Sequence, residues 1–230
     1  MKEFLAKQWR RVKRIIFFAF LLHLGYAVAL IWVAPPYTMT MLADRLDGQS
    51  VQYNASETNE MGSQIVLAAL ASEDQKFPDH YGIDFAAVRD VIKEKAKGKK
   101  LRGGSTISQQ TAKNVFLWQG RSWIRKGLEA YSTMIIELLW SKERILEQYL
   151  RIAEMGKGVY GIQAAAEYYY GTTPSNLNAR QASAIICCLP NPKKRNPKRL
   201  TPHLQRKQNW ILKQMKILAQ DKDVKALLAK

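Results

Sequence analysis

Ile65-Val66-Leu67-Ala68-Ala69-Leu70-Ala71-Ser72-Glu73-Asp74-Gln75-Lys76-Phe77-Pro78-Asp79-His80-Tyr81-Gly82-Ile83-Asp84 passes from an apolar run into a pair of carboxylates, and this junction decides the fold. The apolar part predicts a helix from Ile65 to Glu73, and Asp84 opens a second helix that reaches Ala96. A helix C-terminus disfavours negative charge, and a neighbouring apolar face removes water. Glu73 thus stands where a carboxylate serves as a general base. The plainer reading is surface pairing of Glu73 and Asp74 with Lys76 and His80, and this stretch alone leaves both open.

Downstream, helical signals follow one another: Ser105 to Leu117, Arg125 to Trp140, Lys142 to Met155 ending at Gly156, and Gly161 to Tyr170 ending at Gly171. Two more run from Ala179 to Leu189, stopped by Pro190, and from Pro202 to Gln220, capped by Thr201. No segment alternates with period two, so the fold is expected to be mainly α, without an internal repeat. Within Gly103-Gly104-Ser105-Thr106-Ile107-Ser108-Gln109-Gln110-Thr111-Ala112-Lys113-Asn114, a helix capped by Ser105 would align Ser105, Gln109 and Lys113 on one line. Thr106, Gln110 and Asn114 would fall on the next. Such a stripe suits sugar hydroxyls and diphosphate oxygens better than bulk water, whose faces are usually Lys and Glu. In Arg125-Lys126-Gly127-Leu128-Glu129, the i to i+4 spacing of Arg125 and Glu129, taken alone, reads as an ordinary intrahelical ion pair.

Upstream, residues 35–61, polar and weakly periodic from Tyr37 on, read as a linker, so the domain is expected to span 62–230. Ile15 to Ala34 carries no charged side chain and matches the roughly 20 residues needed to cross a hydrocarbon core of ~30 Å. Lys2, Lys7, Arg10, Arg11, Lys13 and Arg14 precede it against a lone Glu3, so residues 1–14 are expected to stay in the cytoplasm and 15–34 to anchor the chain. A cleaved signal peptide would have a shorter apolar stretch and a small-residue cleavage site in place of Pro35–Pro36. His23 inside the span reads as a tolerated polar residue.

The 230 residues carry 36 basic and 19 acidic side chains, a formal charge of +17, which points to an anionic partner: nucleic acid, membrane surface or phosphate. Lys93 to Arg102 reads as a basic loop broken by Gly98, either solvated or lying against anionic headgroups. Cys187 and Cys188, the only cysteines, point apart on one helical turn, which disfavours a disulfide. With His23, His80 and His203 scattered, no Cys/His zinc cluster is expected.

Taken in order, these stretches resemble the five motifs of the family-51 peptidoglycan glycosyltransferases. The matches are E-D-x-x-F-x-x-H-x-G-x-D from Glu73, G-G-S-T-x-x-Q-Q from Gly103, R-K-x-x-E from Arg125, the segment Trp140 to Leu150, and Gly158 to Tyr170. The N-terminal anchor and the lack of a second domain or a Ser-x-x-Lys nucleophile resemble the monofunctional biosynthetic type and exclude a transpeptidase. One departure is Arg151, where the family usually has Asn; it bears on local helix packing.

The resemblance implies a lysozyme-like helical domain that polymerises lipid II into β-1,4-linked strands with inversion, releasing polyprenyl diphosphate. Glu73 and Glu129 would be the catalytic carboxylates, the first as base toward the acceptor hydroxyl, the second beside the leaving diphosphate. Ser105, Thr106, Gln109, Gln110, Lys113, Asn114, Arg125 and Lys126 would bind substrate, and Asp74, Phe77, His80 and Tyr168 would support the site. No tightly held metal is implied; Mg or Mn would come with the diphosphate. The implied partners are lipid II, the growing strand, the membrane and other cell-wall synthesis or division proteins. The implied location is the bacterial inner membrane, single-pass, with the catalytic domain outside and nucleic acid out of reach. The alternatives are a lysozyme-like glycan-cleaving enzyme, which needs water in place of the diphosphate site, and an inactive anchored scaffold.

Overall fold

The computed structural model describes residues 1–54, 61–96, 104–120 and 122–229. Gly103 and residues 97–102 of the expected basic loop lie outside the described residues. The chain divides into two compact units, Met1–Val33 and Ala34–Lys230.

The first unit is helix α1 (Lys2–Ala29), continuous through the basic segment and most of the apolar run. Ile15, Ile16, Phe17, Phe18 and Leu22 lie exposed along it, the surface that lipid would cover. Its length and the mean hydropathy of 1.6 over an 18-residue window fit a single-pass anchor.

In the second unit, α3 (Ser63–Glu73) is the central element. Every residue from Ile65 to Ala71 is buried, as expected of a helix that is apolar all round. The alanines at 68, 69 and 71 leave room for α9 (Ala179–Cys188) and α10 (Pro202–Leu218) to pack on it. On the site side, α5 (Ile107–Phe116) packs against α6 (Trp123–Leu139) and α7 (Lys142–Ile152). The remaining helices are α2 (Met39–Leu46), α4 (Phe85–Ala96), α8 (Gly161–Tyr170) and α11 (Lys222–Leu228). Caps placed from sequence are present at Asp84, whose carboxylate accepts from Ala87 N at 2.9 Å, and at Thr201, which accepts from Leu204 N at 3.4 Å.

Four features differ from the expectation. Residues 35–61, expected as a linker, carry α2, capped by Thr38, whose Oγ1 accepts from Met41 N at 3.2 Å. Gln52 then bonds in extended form to Gly158 O at 2.8 Å and from Tyr160 N at 2.9 Å. An eight-residue helix gives too little periodicity to read, and the extended contact depends on a partner more than a hundred residues away.

Helix α7 ends at Ile152, where β1 (Glu154–Gly156) and β2 (Val159–Tyr160) form an antiparallel hairpin too short for a period-two signal. Gly158 turns it at φ +72, and an added Cβ there would lie 2.1 Å from Ser50 O. The cap of α5 is Thr106, one residue later than expected. Arg151 is buried, with Nη2 2.7 Å from Glu147 Oε1, so its charge is matched within α7.

Candidate active site

Glu73 is the last residue of α3 and half-buried. Its carboxylate accepts from two neutral donors, Ser72 Oγ at 2.9 Å and Gln110 Nε2 at 3.2 Å. Asp74 follows as the C-cap and turns inward. Its Oδ2 accepts from Ile107 N, the first N–H of α5, at 3.0 Å, and His80 Nε2 donates to both carboxylate oxygens at 3.1 Å. A carboxylate at a helix N-terminus satisfies an orphan donor and meets the positive end of the dipole. Asp74 therefore fixes where α5 begins relative to Glu73.

Phe77 is fully buried, edge-on to His80 at 6.3 Å, with Lys142 Nζ 4.6 Å from its ring centroid. Lys142 also donates to His80 O and, at 2.9 Å, to Glu137 Oε1, which accepts from Ser108 Oγ. Gly82 at φ +79 closes this support, since an added Cβ would stand 2.6 Å from Thr133 Cγ2 and 3.1 Å from Glu137 Cγ.

Glu129, on α6, has the opposite surroundings. It is buried, with Oε2 2.8 Å from Arg125 Nη1 and Oε1 bonded to Lys126 Nζ. Arg125 is held further by its Nε bond to Gly120 O at 2.8 Å, and α6 is capped by Ser122, which accepts from Arg125 N at 3.1 Å. Lys113 on α5 completes the group. Burial lowers its pKa, Glu129 raises it, and Arg125 and Lys126 lower it again. Three cations thus gather about one carboxylate, leaving a net positive site.

One helix joins the two carboxylates. Gln110 and Lys113 are one turn apart on α5, the first bonded to Glu73 and the second in the field of Glu129. Gln110, Lys113 and Asn114 line a cavity of about 430 Å³, closed by Tyr149 and Ile152 of α7. Glu73 meets the cavity through its bond to Gln110.

Of the expected residues, Gln110, Lys113 and Asn114 line this cavity, whereas Glu73, Glu129, Arg125 and Lys126 are not part of its wall. Thr106 and Gln109 are buried in a reciprocal cap, Gln109 N to Thr106 Oγ1 and Thr106 N to Gln109 Oε1, each 3.1 Å, and Thr106 Oγ1 donates to Gly82 O at 2.5 Å. These bonds occupy both side chains in holding α5. Ser105 is exposed ahead of the helix. Tyr168 is 58% exposed on α8, edge-on to Tyr169 at 4.9 Å, and no bond ties it to either carboxylate.

Sequence reasoning missed Tyr149, Glu137 and Lys142. Burial pushes the Tyr149 hydroxyl pKa up, and the charges of Glu73 and Asp74 add to it, so a neutral O–H stands near the pair. Glu137 and Lys142 gave no signal beyond ordinary helix-surface charges.

The family profile described as Transglycosylase matches residues 40–216. Proteins described as biosynthetic peptidoglycan transglycosylase are similar over most of their length. That of Chromohalobacter salexigens is 43% identical over 225 residues, covering 93% of this chain and 96% of the relative. That of a Marinomonas species is 46% identical over 190 residues, 83% of each. That of Pseudomonas aeruginosa is 44% identical over 190 residues, 80% of this chain and 82% of the relative.

Proposed function

The chain belongs to the transglycosylase family, and from that premise we propose how its residues divide the work of polymerising peptidoglycan glycan strands. The activity is that of a peptidoglycan glycosyltransferase. A hydroxyl of the acceptor sugar attacks the anomeric carbon of the donor. Glu73 takes the hydroxyl proton as the new C–O bond forms. The bond from the anomeric carbon to the lipid diphosphate breaks, and the diphosphate leaves with the electron pair.

Arg125, Lys126 and Lys113 match the charge that develops on the diphosphate, with Glu129 holding the first two in place. The single observation carrying this reading is that α5 presents Gln110 to Glu73 and Lys113 to Glu129 from one face. Three cations about one carboxylate favour a diphosphate leaving group over cleavage of a glycan by water.

A protein-held divalent ion fits poorly. Both Glu129 oxygens are taken by cations, and among the described residues no three His, Cys, Asp or Glu side chains group as a metal site. A divalent ion that takes part would enter with the diphosphate, and no step above runs through it.

The N-terminal helix fits a single-pass anchor. The finer reading is a chain in the inner membrane with its N-terminus cytoplasmic and its catalytic unit outside, supported by the basic residues ahead of the apolar run. Trp123 and Ile124 at the start of α6 are 93% and 77% exposed, which suits a surface that meets lipid beside the diphosphate group. The test is strand formation from labelled lipid II by the purified chain in detergent. Long strands are expected, and their absence from a folded preparation would overturn the reading.

A further inference from the structure

From Tyr168 to Gln220 the sequence contains no Asp or Glu, while Lys and Arg recur from Arg180 to Lys216. The catalytic cations described above all lie outside this segment. It folds into the end of α8, all of α9 and α10, and the loop between them. These elements enclose a second groove of about 420 Å³. Its lining includes Tyr170, Arg180, Gln181, Lys198, Gln205 and Asn209, and no carboxylate among the described residues.

The groove is built rather than incidental. Gln208 Nε2 bonds Arg180 O at 2.8 Å and joins α10 to the start of α9, while Gln205 Nε2 bonds Leu200 O at 3.2 Å. Lys198 N bonds Asn196 Oδ1 at 2.8 Å and fixes the loop.

The chemistry of this wall is mixed in a particular way. Amide side chains both donate and accept and so suit sugar hydroxyls, and an aromatic ring offers a face to a sugar ring. Exposed Arg180 and Lys198 suit carboxylates. Gln181 Oε1 accepts from Asn178 N, and Gln205 and Gln208 donate to backbone carbonyls, so the amide groups left for a sugar are those of Asn209 and the second polar atoms of the three glutamines, which a phosphate headgroup alone would not use. The position is informative too. Helix α9 runs from this groove, lined by Arg180, Gln181 and Ala184, to the cavity that Gln110 and Lys113 line, which Leu189 joins just past the helix end. Ten residues of helix span ~15 Å. The groove therefore lies about one helix length from the part of that cavity lined by Leu189.

We infer that this groove holds a finished segment of the glycan strand by its hydroxyls and by the carboxylates of its peptide stems. It rests on the polymerase reading above and deepens it, since a strand gripped away from the reacting end would stay attached between additions.

The test uses the full chain in detergent, with soluble glycan strands bearing free-carboxylate stems as the probe. The same strands after amidation and vesicles of anionic phospholipid are the comparisons. Strand binding should weaken by about tenfold or more in the double variant Arg180→Glu, Lys198→Glu, and equally on amidation. Product strands should shorten while the first coupling of two lipid II molecules keeps its rate. Gln205→Ala and Asn209→Ala, which reverse no charge, should weaken binding in the same direction and serve if the double variant misfolds. Unchanged strand binding in these variants overturns the inference, as does binding of vesicles but not strands through Arg180 and Lys198. Strand binding that survives in Glu73→Gln separates the groove from catalysis. A chain that binds strands yet never polymerises would sink the polymerase reading instead.

Discussion

Glu73 and Glu129 are the same residue type on two different helices, α3 and α6, yet their surroundings are opposite. Glu73 is half-buried and accepts from two uncharged donors, whereas Glu129 is buried and clamped between two cations. A carboxylate bonded only to neutral groups keeps lone pairs that can take a proton. One locked to Arg and Lys has its charge committed, and its use is to hold those cations in position. Side-chain chemistry alone does not separate the roles; the partners do.

The largest effect that would break this contrast is at Glu73. Glu73→Gln keeps size and hydrogen-bonding reach but removes the base, so turnover should fall about 10²–10⁴-fold, measured as strand formation by folded protein. Near-native turnover would remove Glu73 from the role of base and direct attention to Asp74.

The next effect is on the cation side. Arg125→Ala leaves Glu129 buried with one partner fewer, and turnover should drop about 10–100-fold, with a rise in the substrate concentration needed. A normal substrate dependence would separate Arg125 from the diphosphate.

Asp74→Ala acts on the scaffold between the two sites, since it frees Ile107 N and His80 Nε2 together. Denaturant unfolding should show a loss of about 1–3 kcal/mol. A loss confined to activity, with stability intact, would move Asp74 from support to chemistry. Gln110→Ala should do less, a few-fold loss in turnover, as befits removal of one neutral bond contributing about 0.5–1.5 kcal/mol.

Much of this contrast was legible in the sequence, and what was missed has specific causes. Asp84, Thr201 and Gly171 mark helix ends by local chemistry, and the structure keeps them there. Glu73 is marked by its place at the end of an apolar helix, whereas Glu129, Arg125 and Lys126 take their roles from the family resemblance, since their spacing alone fits an ordinary ion pair. Thr106 was passed over for Ser105 because both carry a hydroxyl. The deciding signal was present three residues on, where Gln109 completes a capping box with Thr106 and Ser108 would not with Ser105. Tyr149, Glu137 and Lys142 gave no such signal, because their meaning comes from partners on other helices. Helix α2 and the hairpin are too short for periodicity, and the groove between α9 and α10 needs the fold before its lining residues meet.

The central claim is that Glu73 moves the proton while Glu129 keeps the charge of the donor site. Donor binding in the two Gln variants tests it most directly, measured side by side by equilibrium titration of the purified full chain with a non-reacting lipid diphosphate. The account predicts that Glu73→Gln binds this ligand as the native chain does, whereas Glu129→Gln, with Arg125 and Lys126 released, binds with clearly altered affinity. A loss confined to Glu73→Gln, with Glu129→Gln binding normally, would contradict it.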